Sequence, residues 1–171
     1  MYIIIDMGVS TPNAFIRTRK PLGLDRHFME RALELGERAR GNTGDNPHVG
    51  SVIVLGERVL GEGWTSEPGQ SHAEANALLA AANAGHDVTG ATLYATLEPC
   101  SFLGRTPACA LTIVASGITR VVYGIRDPHP RVNGQGAHQL RRGGLEVSEG
   151  ECATEIRASL AEWLRGHRNA R

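Results

Sequence analysis

Between residues 50 and 150 the chain switches repeatedly between two periodicities, and that switching narrows the fold more than any single motif does. "SVIVLGERVLGEGW" reads as two strands about a turn at Gly56-Glu57, a hairpin. Residues 72–84 are rich in Ala and Leu and end at Gly85, the pattern of a helix and its C-cap. "ATLYATL" is a buried strand, and residues 107–117 form a helix with Pro107 in its first turn. "RVVYGI" is another strand, "AHQLRRGG" a short helix and "LEVSE" a last strand. Strands alternating with helices place the helices on the faces of one sheet, which makes this an α/β layer sandwich.

The flanks are weaker. Asp25 is placed as an N-cap, and Phe28, Met29, Ala32, Leu33 and Leu35 fall within a helical stripe that fades near Gly41. "GNTGDNPHVG" is a loop. Residues 1–24 read as an N-terminal extension, in which Ile3, Ile4 and Ile5 would add a short edge strand and the rest is loop or disorder. Residues 151–171 read as a closing helix and tail. Ile156, Leu160, Trp163 and Leu164 lie on one side of that helix, a face expected against its own sheet rather than another subunit. Cys152 is expected to be an ordinary helix residue. The domain between the flanks is residues 25–150, and 171 residues suffice for one core without staples.

Composition excludes several classes. Eighteen basic and eighteen acidic residues give a formal charge of zero, so no basic stripe argues for nucleic acid or a membrane surface. The apolar runs fall short of the ~20 residues that span a bilayer. "MYIIIDMGV" lacks the basic start of a signal peptide. Three cysteines cannot all pair within one chain, which fits a reduced, cytoplasmic protein whose thiols bind metal or do chemistry.

The chemistry sits in two stretches, "HAEANALLAAANAG" and "LEPCSFLGRTPACA". His72 and Glu74 share the first turn of a helix. Cys100 follows a strand, and Cys109 lies near the start of the next helix, where the dipole favours thiolate. One nitrogen and two sulfurs make a set suited to Zn2+, and three protein ligands leave a fourth position open, as in catalytic sites. A carboxylate two residues from the histidine shuttles protons without binding metal, the arrangement of zinc deaminases. A purely structural zinc would need a fourth ligand, for which Cys152, His86, His129 and His138 are the spare candidates.

The stretches "NPHVGSVIV", "GEGW", "HAEANAL" and residues 90–147 resemble the diaminohydroxyphosphoribosylaminopyrimidine deaminase domain of riboflavin biosynthesis, in the cytidine-deaminase-like superfamily. The similarity runs from about residue 25 to about 150. The long spacing between the cysteines, with Gly104-Arg105-Thr106-Pro107 inside it, separates this family from superfamily members with two residues between them. The resemblance implies a three-layer α/β/α sandwich with a central mixed sheet. It implies His72, Cys100 and Cys109 as zinc ligands and Glu74 as the proton shuttle. Asn46 would hydrogen-bond the substrate, Arg105 would meet the ribose phosphate, and Asp127 would shape that end. The partner implied is a small aminopyrimidine, and the oligomer most expected is a homodimer.

The sequence departs from the family in four places. The family domain is commonly fused to a reductase, and here only one more helix follows, so a deaminase standing alone is expected. Thr65 stands where a pocket histidine is common, and His129-Pro130 where Asn-Pro is common. Gln135 stands between Gly134 and Gly136 where a basic residue is common, which removes charge that would bind phosphate. Thr65, His129 and Gln135 are therefore candidate substrate contacts. The alternatives are a diverged paralogue acting on another amino-heterocycle, and a non-catalytic partner subunit, against which the retained Glu74 speaks.

Overall fold

Neighbouring side chains on a strand point to opposite faces, and β-strand sequences such as "GSVIVL" and "TLYATL" are apolar in both phases. A sheet built from them must be covered on both sides. The computed structural model, which describes residues 23–102 and 108–168, shows such a sheet. The described residues form α1 (Leu24–Ala39), β1 (Gly50–Leu55), β2 (Arg58–Trp64), α2 (Ala73–Asn83), β3 (Thr92–Leu97) and α3 (Cys109–Ala115). There follow β4 (Arg120–Ile125), α4 (Gln135–Arg142), β5 (Glu146–Glu149), α5 (Ala153–Ser159) and α6 (Ala161–Arg168).

The strand order is β2-β1-β3-β4-β5. β1 pairs antiparallel with β2 and β3, while β3–β4 and β4–β5 are parallel, so the sheet is mixed. Val52, Val54, Tyr94 and Val122 join Phe28 and Leu35 of α1 and Ile156 of α5 in one buried cluster. Ile53, Leu93, Ala95 and Val121, the alternate positions, join Ala77 of α2, Ile113 of α3 and Leu140 of α4 in the other. Helices therefore lie on both faces, giving the three-layer α/β/α sandwich.

The fit of α2 to the sheet is close. Gly61 and Gly63 of β2 have no side chain, and a Cβ on Gly63 would stand 2.4 Å from the Ala73 carbonyl oxygen. Ala73, Ala77 and Ala81 recur every four residues and are fully buried. This packing sets the height of the α2 start, where the chemistry lies. Among the described residues no helix is long and apolar enough to cross a membrane.

Four local expectations are corrected. Asp25 is not the N-cap of α1: Gly23 caps it in the left-handed region, φ 101°. The Asp25 carboxylate instead accepts from Arg120 Nη1 and Nη2, each at 2.8 Å, and from the Tyr94 hydroxyl at 2.6 Å, partners that outcompete the helix's own amides. The closing helix is two helices, broken at Leu160, whose backbone leaves the helical region. Next to the break, Ser159 donates its hydroxyl to the Glu37 carboxylate of α1. Cys152 is not inside a helix but caps α5 at φ 54°, uncommon for a residue with a side chain. The fourth helix starts at Gln135, two residues before the expected Ala137. The expected edge strand at Ile3–Ile5, together with Pro107, lies outside the described residues.

Candidate active site and metal centre

In open α/β sheets ligands bind beyond the carboxyl ends of parallel strands. Here β3 ends at Leu97 and runs into Glu98-Pro99-Cys100, and β4 ends at Ile125, two residues before Asp127. His72 is the N-cap of α2, with extended backbone, and Cys109 is the first residue of α3. The topology thus brings two helix starts and two strand ends to one place.

His72 Nδ1 lies 3.6 Å from Cys100 Sγ and 3.4 Å from Cys109 Sγ, and the three donor atoms all fall within 4.8 Å of one another. Tetrahedral zinc with bonds of about 2.0 Å to nitrogen and 2.3 Å to sulfur sets N···S separations of about 3.6 Å. The donor set fits zinc in spacing as well as in chemistry. No other such cluster occurs among the described residues. None of the spare candidates for a fourth ligand joins this cluster: His129, on the cavity wall, has its Nδ1 taken by the Arg131 N–H. His86 bonds the Leu60 carbonyl and faces Arg58, Cys152 lies against the Arg26 carbonyl, and His138 is exposed. The fourth position is left to something other than the described protein.

The electrostatics follow from crowding. The Cys100 thiol is pulled down to about 4, first by the Cys109 thiol that bonds it and then by His72, and the Cys109 backbone N–H also donates to its sulfur at 3.2 Å. Cys109 is pushed up, by its bond to Cys100 and by burial. His72 is raised by its bond to Cys100. One thiol of the pair ionises at the other's expense, so for both to be thiolates a cation is needed, and a divalent metal supplies it. Glu74 is 5 % exposed, and burial lifts its carboxyl to about 7 against a partial opposing pull from His72. A carboxyl with that value carries or releases a proton near neutral pH.

A cavity of about 640 Å³ opens over this centre. Its wall includes His72, Glu74 and Cys100 and, of the residues the sequence singled out, Asn46, Thr65, Asp127 and His129. Asn46 is exposed in the loop before β1, and among the described residues nothing bonds its side-chain amide. Thr65 is buried, and its hydroxyl is spent on Val49, accepting the N–H at 3.0 Å and donating to the carbonyl at 3.4 Å. Asp127 accepts the His129 N–H at 2.8 Å. His129 Nδ1 accepts the Arg131 N–H at 3.2 Å, which puts the imidazole proton on Nε2. Gln135 is exposed on the first turn of α4 and is not on the cavity wall. Arg105 lies outside the described residues.

Three wall residues escaped the sequence reading. Glu98, 3 % exposed, accepts the Gly134 N–H at 2.9 Å and the Ala137 N–H at 3.1 Å, fastening the start of α4 to the strand end. Its signal was an acidic residue closing an apolar strand before proline. Phe102 stacks on His129, centroids 5.6 Å apart, with the Arg131 guanidinium 4.1 Å from its ring centre. Trp163 arrives from α6.

Residues 23–125 match the family model "Cytidine and deoxycytidylate deaminase zinc-binding region". The chain is 43% identical over 131 residues to the diaminohydroxyphosphoribosylamino-pyrimidine deaminase of Buchnera aphidicola (subspecies Schizaphis graminum), covering 77% of this chain and 87% of that one. It is 45% identical over 131 residues to the riboflavin biosynthesis protein RibD of Escherichia coli, covering 77% of this chain but 35% of that protein, about a third of its length. A crystal structure from Thermotoga maritima, described as a diaminohydroxyphosphoribosylaminopyrimidine deaminase and 5-amino-6-(5-phosphoribosylamino)uracil reductase, superposes with a TM-score of 0.82 at 40% identity. It covers 86% of this chain and 42% of that one. With its donor triad, buried carboxyl and layered sheet, the chain belongs to the cytidine and deoxycytidylate deaminase zinc-binding family.

Proposed function

We propose that the chain hydrolyses the exocyclic amine of a riboflavin-pathway aminopyrimidine, the diaminohydroxyphosphoribosylaminopyrimidine named in its relatives, and releases ammonia. The observation that carries this reading is the buried Glu74 carboxyl beside the His72, Cys100 and Cys109 donors at the floor of the cavity. His72, Cys100 and Cys109 would hold zinc, which when bound supplies the Lewis acidity that makes water nucleophilic near neutral pH. Glu74 takes the proton from the attacking water as the amine-bearing ring carbon becomes tetrahedral. Its carboxyl then hands that proton to the departing nitrogen, so one group serves as base and acid in turn. Asn46 offers an amide to the ring from the loop before β1. Asp127 fixes the 127–131 loop through the His129 N–H, and His129 Nε2 gives a donor to the sugar-phosphate end. The action is on a small molecule in the cytoplasm, by a homodimer.

The test is ammonia release by zinc-loaded protein from the diaminopyrimidine ribotide, its dephosphorylated riboside, cytosine, guanine and adenosine. The expected result is turnover of the ribotide, lowered by about 10²–10⁴-fold in Glu74→Gln. One observation favours a second reading. The Thr65 hydroxyl is turned inward onto Val49, so its one proton is spent and it gives the wall no hydrogen-bond donor where a histidine is common. Turnover of an unphosphorylated heterocycle, with the ribotide ignored, would assign the chain to that diverged role. Zinc bound with no turnover of any of the five would leave a different heterocycle as substrate or the subunit reading.

A further inference from the structure

We propose that Trp163 is a substrate-positioning residue, and that the aminopyrimidine packs against its indole while the same side chain pins the loop that carries Asn46. This rests on the deaminase reading above. The indole lies on the wall of the cavity that holds His72, Glu74 and Cys100, although it belongs to α6, far along the chain from all three. Its Nε1–H donates to the Asp45 carbonyl at 3.2 Å. That bond directs the polar edge into the protein's own backbone, so the indole meets a ligand through aromatic carbon. Asp45 directly precedes Asn46, and both line the same cavity.

α6 is held there from two sides. Trp163 and Leu164 pack against the core cluster of α1 and α5. At the junction of α5 and α6, Ser159 donates to the Glu37 carboxylate and meets His48 Nε2 at 3.1 Å, while Arg40 Nη2 reaches the Ser159 carbonyl at 3.3 Å. His48 follows Asn46 by two residues. The loop between α1 and β1 is therefore gripped at Asp45 by Trp163 and at His48 by Ser159, with Asn46 between the grips. A flat heterocycle gains from an aromatic wall of fixed orientation, because offset stacking requires no further ordering of the protein.

A tryptophan that merely filled the core would share some of these contacts, so the experiment must read ligand contact. The chain has two tryptophans, and Trp64 lies at the exposed end of β2 beneath Arg38, so Trp64→Phe leaves Trp163 as the single indole emitter. Zinc-loaded Glu74→Gln/Trp64→Phe protein is titrated with the diaminopyrimidine ribotide, whose turnover is slowed enough for binding to be read, and binding heat is followed in parallel. The expected result is a change in Trp163 emission that saturates together with the heat. In chains that retain Glu74, Trp163→Leu should raise KM by about tenfold with kcat within about twofold, and Trp163→Phe, which keeps a ring, by about threefold. Saturating heat with unmoved emission overturns the proposal, as do wild-type KM values in both variants. Absence of both ammonia from the wild type and binding heat brings down the ribotide reading, and the assignment of Trp163 with it. Heat alone separates the two failures.

Discussion

Replacing Gly63 by alanine tests whether the sheet sets the position of the catalytic helix. Neither Gly61 nor Gly63 has a positive φ, so alanine is allowed by the backbone and the effect is one of space. A Cβ on Gly63 would stand 2.4 Å from both the Ala73 oxygen and the Ala77 nitrogen. On Gly61 it would stand 2.2 Å from the Ala77 oxygen and 2.8 Å from the Ala81 nitrogen. Ordinary contact begins near 3.4 Å, so α2 must lift at one end or the other. Overpacking of this kind costs about 1–3 kcal/mol, partly offset by the roughly 0.5–1 kcal/mol that alanine gains over glycine in a strand. Both variants should lose about 1–2 kcal/mol in urea unfolding of the metal-free protein. They should part company at the site. Gly63 lies under the turn that carries His72 and Glu74, and about 1 Å of misplacement there costs up to about 10²-fold. Gly63→Ala should therefore lose about 10–100-fold in kcat/KM for ammonia release and yield its zinc more readily to a chromogenic chelator. Gly61→Ala, which lifts the far end, should keep both within about threefold. Equal losses of stability with zinc affinity and kcat/KM untouched in Gly63→Ala would refute the reasoning.

The Glu74 carboxyl carries a pH signature. Its folded value of about 7 lies above the ordinary 4.5, so the stability of the neutral form is fully present below about pH 4.5 and is lost as pH rises through 7. Metal-free Glu74→Gln should match the wild type near pH 4 and exceed it by about 3 kcal/mol near pH 8, as measured by denaturant unfolding at both pH values. An advantage that is the same at both would show that the charge is not the cause. Stripping zinc should let iodoacetamide label Cys100 at neutral pH at least about tenfold faster than Cys152, with protection restored by zinc, as read by peptide mass spectrometry. Equal labelling of Cys100 with and without zinc would remove it from the ligand set. Gln135→Lys should leave KM for the ribotide within about twofold, because Gln135 is off the cavity wall. A large fall in KM would place a phosphate within its reach.

What was legible in the sequence was what is local. The donors were readable because His-x-Glu at a helix start and Pro-Cys at a strand end are short patterns with a chemical meaning. The sheet and its helices were readable because the apolar period changes from one segment to the next. What was missed depends on partners distant along the chain. Asp25 had the propensity of an N-cap, but Arg120 and Tyr94, 95 and 69 positions away, claimed its carboxylate. Glu98 finds its donors 36 and 39 residues on. The break at Leu160 was invisible because Ile156, Leu160 and Leu164 keep one helical stripe through it, all turned to the same core. Trp163 was seen as apolar but not as a cavity wall, since nothing near it in the sequence refers to residues 45 and 46.

The same distinction divides the cavity itself. Its protonation machinery is fixed by rigid pieces: the first turn of α2 held down on β2, the end of β3, and the start of α3. Its remaining wall comes mainly from loops, Gly44 to Val49, Thr65 to Gln70, Phe102 and Asp127 to Val132, and from α6. Changes in those loops reshape what the cavity holds without moving Glu74 or the three donors. Thr65 illustrates this: its hydroxyl proton goes to Val49, so it presents no donor to a ligand, and yet nothing in the donor set depends on it. His129 illustrates the converse, since the Arg131 N–H on its Nδ1 leaves Nε2 as a donor where an asparagine is common. On the reading proposed above, the reaction class rests on four residues in or directly beside regular elements, and the choice of heterocycle on loops that can change one contact at a time.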